Sequence, residues 1–464
     1  MNTQQFRHDL RRGLGSCYIK LQRCDDPEIY REDILWGIKH AFAYDAQCEG
    51  TRGGYLFSLI EQFNDWSDFC ELAANRANKN VKERGQKFGH YSQIVVLMAG
   101  AGYEPAAQHV WDLYERMLLE LRSGRHTKCG TWPARDNMSF LCVAIIAYMC
   151  DTDYERISFL RRVLADYGSI MKMRPNLVTS IEDEWLESYA DGELGKERIW
   201  ELLKEQNNPN IDLYLKQWKK REIEWKSSIS HSADKDIPVK SAEEIYIELK
   251  NHRDKPFVVI QWTRRLEKTG NTEELSKLIR IYTTETDDWM RYALLFVIRT
   301  DIQASFFDKE AINRVFVDSR NRNAHLRGEA TRFLTLIRDE MVRKYAVRRI
   351  KTGITDIDTI NILIRNYIKG DGNMLIGLIK SVSANERNDF CHGLFSDIRD
   401  LLNENKDAEE EMAEELLPYL YREGNCSNCR REVLELMKHR DIFTPELAEE
   451  CKHDCNEDIR EMAL

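Results

Sequence analysis

The sequence predicts an all-α protein, a right-handed superhelix of stacked antiparallel helix pairs, and three observations lead there. Apolar residues recur at spacings of three and four, as in Leu275, Leu278, Ile279 and Tyr282, with no run of the period-two alternation that marks strands. Helix-start signatures stand at Thr152-x-x-Glu155, Ser241-x-x-Glu244, Asn271-x-x-Glu274 and Ser383-x-x-Glu386, where paired side chains satisfy amides that a first helical turn leaves open. Only 23 Gly and 9 Pro interrupt 464 residues, so a helix of ordinary length fits about every 20 residues, the density of stacked hairpins.

Taken in chain order, the opening MNTQQFRHDLRRGLGS carries charge where a secretory leader needs an apolar run, so export is not expected. The most apolar stretch, Met138–Cys150 (MSFLCVAIIAYMC), is shorter than the about 20 residues that span a bilayer. It predicts a buried helix and no membrane partner. Twelve irregularly spaced cysteines without a leader predict free thiols in a reducing cytoplasm. Arg52-Gly-Gly-Tyr55 lacks the length and the Lys-Ser/Thr of a phosphate-binding loop, and no hydrolase elbow, zincin helix or calcium loop occurs. A non-enzymatic protein is expected.

Residues 1–226 are expected to form an irregular helical-repeat region. Residues 227–240 (SSISHSADKDIPVK) read as a polar linker or long loop, and 241–464 as a regular repeat region with an acidic end. Within the last region Thr444-Pro445 starts a helix, since proline at the first helical position loses no hydrogen bond. An apolar residue followed by Arg, with a small or apolar residue three places on, recurs six times. The copies are Met290-Arg291/Leu294, Leu326-Arg327/Ala330, Ile364-Arg365/Ile368, Ile398-Arg399/Leu402, Cys429-Arg430/Val433 and Ile459-Arg460/Ala463, with arginines 36, 38, 34, 31 and 30 residues apart.

Asn323-Ala-His-Leu-Arg-Gly-Glu-Ala-Thr-Arg-Phe-Leu334 and Asn456-Glu-Asp-Ile-Arg-Glu-Met-Ala-Leu464 resemble the first helices of HEAT repeats, and the likeness extends from about Asp287 onward. The resemblance implies an armadillo-like α-solenoid, with Ala allowing close helix approach and Arg bonding the neighbouring repeat. It further implies an intracellular scaffold whose groove holds a protein or peptide, while some relatives bind nucleic acid or process DNA bases.

Charge suggests where such a partner would sit. Residues 401–464 hold 18 acidic against 8 basic residues, which accounts for the whole net charge of −10, whereas Ala311–Lys351 holds 11 Lys+Arg against 4 Asp+Glu. Lys344, Arg348 and Lys351 share one helix face at i, i+4 and i+7, and Arg320, Arg322 and Arg327 fall one helix earlier. Such a charge run on a repeat array is more often a solvated face; as a binding surface its expected ligand is an acidic protein or peptide, and the alternative is nucleic acid, whose phosphates such cations neutralise without regard to sequence.

Two further groups carry chemistry. Cys426-x-x-Cys429 and Cys451-x3-Cys455 supply four thiols, the number a tetrahedral zinc takes. Cysteine also packs as a small apolar residue, which is the reading favoured here, with no cofactor expected. The segment Arg125–Asp136 is expected to be a loop that contacts a partner or lays Trp132 over the core. His126, Cys129, Trp132 and Asp136 are its reactive or stacking residues. Its Trp and Asp are similar to those of HEAT-like DNA glycosylases, which however carry them on a helix. Trp218 and Trp225, two turns apart, are expected to pack in the core.

Overall fold

In the computed structural model, the described residues are 3–81, 86–123, 132–173, 207–217, 219, 220, 239–253, 255–300, 304–354, 356–381, 392, 394, 397–399, 401, 402 and 410–464. They are helical and contain no strand. In chain order the helices are α1 (Thr3–Arg12), α2 (Ser16–Gln22), α3 (Arg31–His40), α4 (Ala46–Glu49), α5 (Gly53–Ile60), α6 (Ser67–Asn80), α7 (Gln86–Gly100), α8 (Glu104–Ser123), α9 (Trp132–Met149) and α10 (Asp153–Met173). There follow α11 (Ala242–Asn251), α12 (Ile260–Lys268), α13 (Thr272–Thr284), α14 (Asp288–Val297), α15 (Lys309–Asp318), α16 (Ala324–Leu334), α17 (Glu340–Lys351), α18 (Ile357–Arg365) and α19 (Gly372–Ser381). The last are α20 (Glu410–Glu423), α21 (Ser427–His439), α22 (Pro445–Cys451) and α23 (Glu457–Met462). None is long and apolar enough to cross a membrane.

The chain divides into two compact units, residues 1–231 with 424–464, and residues 232–423. The first division falls within the stretch expected to link two regions, of which residues 227–238 lie outside the described residues. Residues 424–464, expected to continue the second region, group instead with the first unit, and the contacts responsible are given below.

The first unit is built around α7, which packs against α5, α6, α8 and α9. Its sequence carries no charge after Lys87, and Phe88, Tyr91, Ile94, Val95, Val96 and Met98 are all buried. A helix apolar on every side belongs in the middle of a core. Gly89 makes room for the Phe140 ring of α9, and Gly100 for the Tyr148 carbonyl. The stretch Met138–Cys150 is the expected buried helix: Met138, Leu141, Cys142, Ile145 and Ile146 have almost no exposure, although Tyr148 faces out. Each such side chain withdrawn from water contributes roughly 1.5–3 kcal/mol.

In the second unit, side-chain caps set the helix starts. Ser241 and Glu244 form the reciprocal capping box that the sequence predicts, and Asn271, Asp287, Asp308, Asn323, Asp339 and Asp356 each accept an amide of the first turn. Each cap is worth about 1 kcal/mol. Neighbouring helices pair as α13 with α14, α15 with α16 and α17 with α18, and α11, α13 and α15 pack in succession, as do α14, α16 and α18. Between these rows lie Tyr282, Phe307 and Phe333, the last two with ring centroids 4.6 Å apart.

Candidate functional site

The basic segment folds around Tyr345 in the second unit. Asp339 caps α17 by accepting from the Met341 amide at 2.7 Å. Val342, Tyr345 and Ala346 face the core, so Lys344, Arg348 and Lys351 are left exposed. Arg320, from the turn after α15, lies 5.8 Å from the Tyr345 ring centroid, and Arg349 lies 5.5 Å from it. One aromatic ring therefore joins the two halves of the predicted cluster. A guanidinium held over a ring contributes about 0.5–1 kcal/mol at exposed sites.

The remaining cations divide by what already holds them. Arg349 is fixed by Thr359 Oγ1 at 2.8 Å, Tyr345 Oη at 3.1 Å and Asp356 at 2.5 Å, which makes it a structural brace between α17 and α18. Arg327 donates to the Asn321 carbonyl at 2.9 Å and the Arg322 carbonyl at 3.4 Å, closing the turn before its own helix. Lys344 pairs with Glu340 at 2.8 Å, both well exposed, a contact worth little in water. Arg322, Arg348 and Lys351 are exposed, with no side-chain ion pair among the described residues. Arg348 and Lys351 also occupy the last turn of α17, where cations complement the helix dipole.

A cavity of about 690 Å³ opens beside this helix, lined by Arg338, Asp339, Arg343, Arg365, Asn366 and Asp397 among others. Its charges offset one another: Arg343 is held by both oxygens of Asp371, at 2.6 and 3.0 Å.

In the first unit the C-terminal segment docks on the N-terminal helices through backbone groups. Buried Arg52 donates to the Asn425 carbonyl at 2.9 Å, to Glu49 at 3.4 Å and to the Arg11 carbonyl. Glu49 accepts the Ser427 amide at 3.0 Å. Burial works against its charge, but Arg52 and the amides of Asp45 and Ser427 outweigh that, and its carboxyl titrates below the usual range. The Cys455 amide donates to the Gly13 carbonyl at 2.9 Å, and the Tyr18 and His453 rings stack at 4.0 Å. A second cavity, of about 570 Å³, is lined here by Glu49, Tyr55, Gln93, His453 and Asp454 among others. All of these are engaged: Glu49 and His453 as above, Tyr55 to the Leu14 carbonyl, Gln93 by the Thr51 hydroxyl and Asp454 to Arg430.

The four C-terminal cysteines do not assemble into one ligand set among the described residues. Cys426 is the buried N-cap of α21 and Cys429 stands in its first turn, their sulfurs within 4.8 Å of each other. Cys451 is buried at the end of α22, and Cys455 lies between α22 and α23 against Gly13. The Arg430 guanidinium reaches the Cys455 sulfur at 3.5 Å, placing a fixed cation where a metal would need to approach.

Of the predicted loop, His126 and Cys129 lie outside the described residues, as do Trp218 and Trp225. Residues 132–136 are not loop: α9 begins at Trp132, because Pro133 in a first turn needs no amide partner. The Trp132 side chain also falls outside the described residues, and Asp136 is half-buried on α9. Sequence reasoning passed over Tyr345, Arg349, Glu49 and Arg52. Arg52 was visible within Arg-Gly-Gly-Tyr, but one of its partners, the Asn425 carbonyl, lies 373 residues away. No family model, no curated protein and no solved structure matches this chain.

Proposed function

We propose that the protein is a non-enzymatic, intracellular interaction scaffold, its second unit a HEAT-like solenoid that takes an acidic protein or peptide segment on the face around Tyr345. The observation that carries this reading is Arg320 over Tyr345, with Lys344, Arg348 and Lys351 exposed on the same helix. The next-but-one packing of helices in that unit fits stacked pairs, and the free thiols fit a reducing compartment.

A peptide is favoured over nucleic acid on electrostatic grounds. Glu340 and Asp356 interrupt the positive face, each paired with one of its cations. A long polyanion would meet that repulsion over its length, whereas a short acidic segment needs only a few cations.

The test is fluorescence anisotropy of a labelled Asp/Glu-rich peptide, a mixed-sequence duplex and a single strand, at low and moderate salt. The expected result is peptide binding that weakens with salt and falls about tenfold or more in Lys344→Glu/Arg348→Glu, a loss of about 1.4 kcal/mol. Absent peptide binding at low salt, or binding indifferent to the variant, overturns the reading. Tight, salt-steep nucleic-acid binding lost in the variant establishes the alternative.

A further inference from the structure

The Cys-Ser-Asn-Cys turn of the first unit carries chemistry that peptide binding leaves unused. Cys426 caps α21 and Cys429 follows one turn later, neither in a disulfide, with sulfurs within 4.8 Å of each other. The two differ in state. The Cys429 thiol hydrogen-bonds to Cys426 and, with nearby amides, holds the Cys426 thiol below its ordinary range, while Cys429 itself is raised by the same contact and by burial. Every other described cysteine with a shifted thiol is shifted upward: burial does this to Cys17, Cys70, Cys142, Cys150 and Cys455, and a hydrogen bond with Asp45 does it to exposed Cys48. Thiolate is the reactive form, and a pair at the start of a helix is where it is stabilised.

We propose that Cys426 and Cys429 form a hydroperoxide-responsive dithiol, with Cys426 the sulfur oxidised first and Cys429 the one that resolves it into an intramolecular disulfide. Burial selects the oxidant class. Cys426 is 4% exposed, which excludes a protein disulfide but admits the terminal oxygen of a small peroxide. In the first step the Cys426 thiolate attacks that oxygen; the S–O bond forms, the O–O bond breaks, sulfur is oxidised by two electrons, and hydroxide leaves to become water on protonation. In the second step the Cys429 sulfur attacks the sulfenic sulfur; the S–S bond forms, the S–O bond breaks, and the departing hydroxide takes the Cys429 proton. Two thiols and one hydrogen peroxide thus give one disulfide and two waters. Oxidation of Cys426 also removes the thiolate whose hydrogen bond and charge, together with burial, raise Cys429.

The turn is tied to the N-terminal helices by its neighbours: Asn425 to Arg52, Ser427 to Glu49, and Asn428 Nδ2 to the Cys48 carbonyl at 3.3 Å. Cys426 is the N-cap, with extended backbone (φ −78°, ψ 117°), so a disulfide, which needs Cβ atoms about 3.5–4.5 Å apart, would close across the junction that these three ties hold.

The experiment uses the full chain, reduced and assayed for zinc, then titrated with hydrogen peroxide, alkylated and mapped by peptide mass spectrometry. The expected result is a Cys426–Cys429 disulfide formed near stoichiometric peroxide, reversed by dithiothreitol, and formed roughly tenfold faster than any oxidation of exposed Cys48. Cys429→Ser should give a sulfenic acid at Cys426 that dimedone traps. Oxidation that lands first on Cys48, a pair that stays reduced in excess peroxide, or tightly held zinc at these thiols overturns the proposal. The wild-type map decides it even if a variant fails to fold.

Discussion

One guanidinium nitrogen of Arg430 lies 3.0 and 3.1 Å from the two carboxylate oxygens of Asp454, and neither side chain has any exposure. Arg460 donates to the Asp454 carbonyl at 2.9 Å, so the last two arginines of the repeated pattern meet on one residue. The same arrangement recurs in the second unit, where Arg291 bonds Asp318 at 2.6 Å and Tyr282 donates to that carboxylate at 2.9 Å. Buried pairs of this kind add little net stability over apolar replacements, yet losing one partner strands a charge.

Arg430→Ala is therefore expected to cost about 3–5 kcal/mol, whereas Arg430→Met with Asp454→Leu costs much less. Urea unfolding midpoints of the two variants check this; equal losses contradict a stranded charge.

His90 makes the stability of the first unit depend on pH. Burial pushes its imidazole down from 6.5 to about 4, its Nε2 stands 3.2 Å from the Ile38 carbonyl, and its Nδ1 is buried with no hydrogen-bond partner among the described residues. Between those values the unfolded chain binds the proton and the folded one does not. Stability from this group is thus fully present above about pH 6.5 and lost as pH falls toward 4, a change of about 3 kcal/mol. His90→Met should flatten that part of the pH profile measured by urea unfolding.

Gly13 sets how closely the C-terminal segment approaches. Its φ is +73°, and an added Cβ would run into the Cys455 side chain; Gly102, with φ +88°, faces open space. Gly102→Ala is expected to cost about 1–2 kcal/mol from backbone strain alone. Gly13→Ala should cost clearly more, read as an excess loss in thermal or urea unfolding.

What the sequence made legible was local. Ser241 with Glu244 and Thr444 with Pro445 mark helix starts within four residues, so reading them requires no fold. The repeated arginines were also visible, but their partners were not: Asp318 and Asp454 are two of many acids until the helices pack. The return of residues 424–464 to the first unit rests on bonds such as Glu49 to Ser427, 378 positions apart. Nothing in either segment's periodicity encodes that pairing. The basic face was half legible, since helix spacing grouped Lys344, Arg348 and Lys351, while Arg320 joins them only through Tyr345.

The most direct test of the scaffold reading is a charge swap, titrating wild type and Lys344→Glu/Arg348→Glu with one Glu-rich and one Lys-rich peptide at low salt. The account predicts that wild type prefers the acidic peptide, that the variant prefers the basic one, and that both preferences fade with added salt. Unchanged preference in the variant would contradict it.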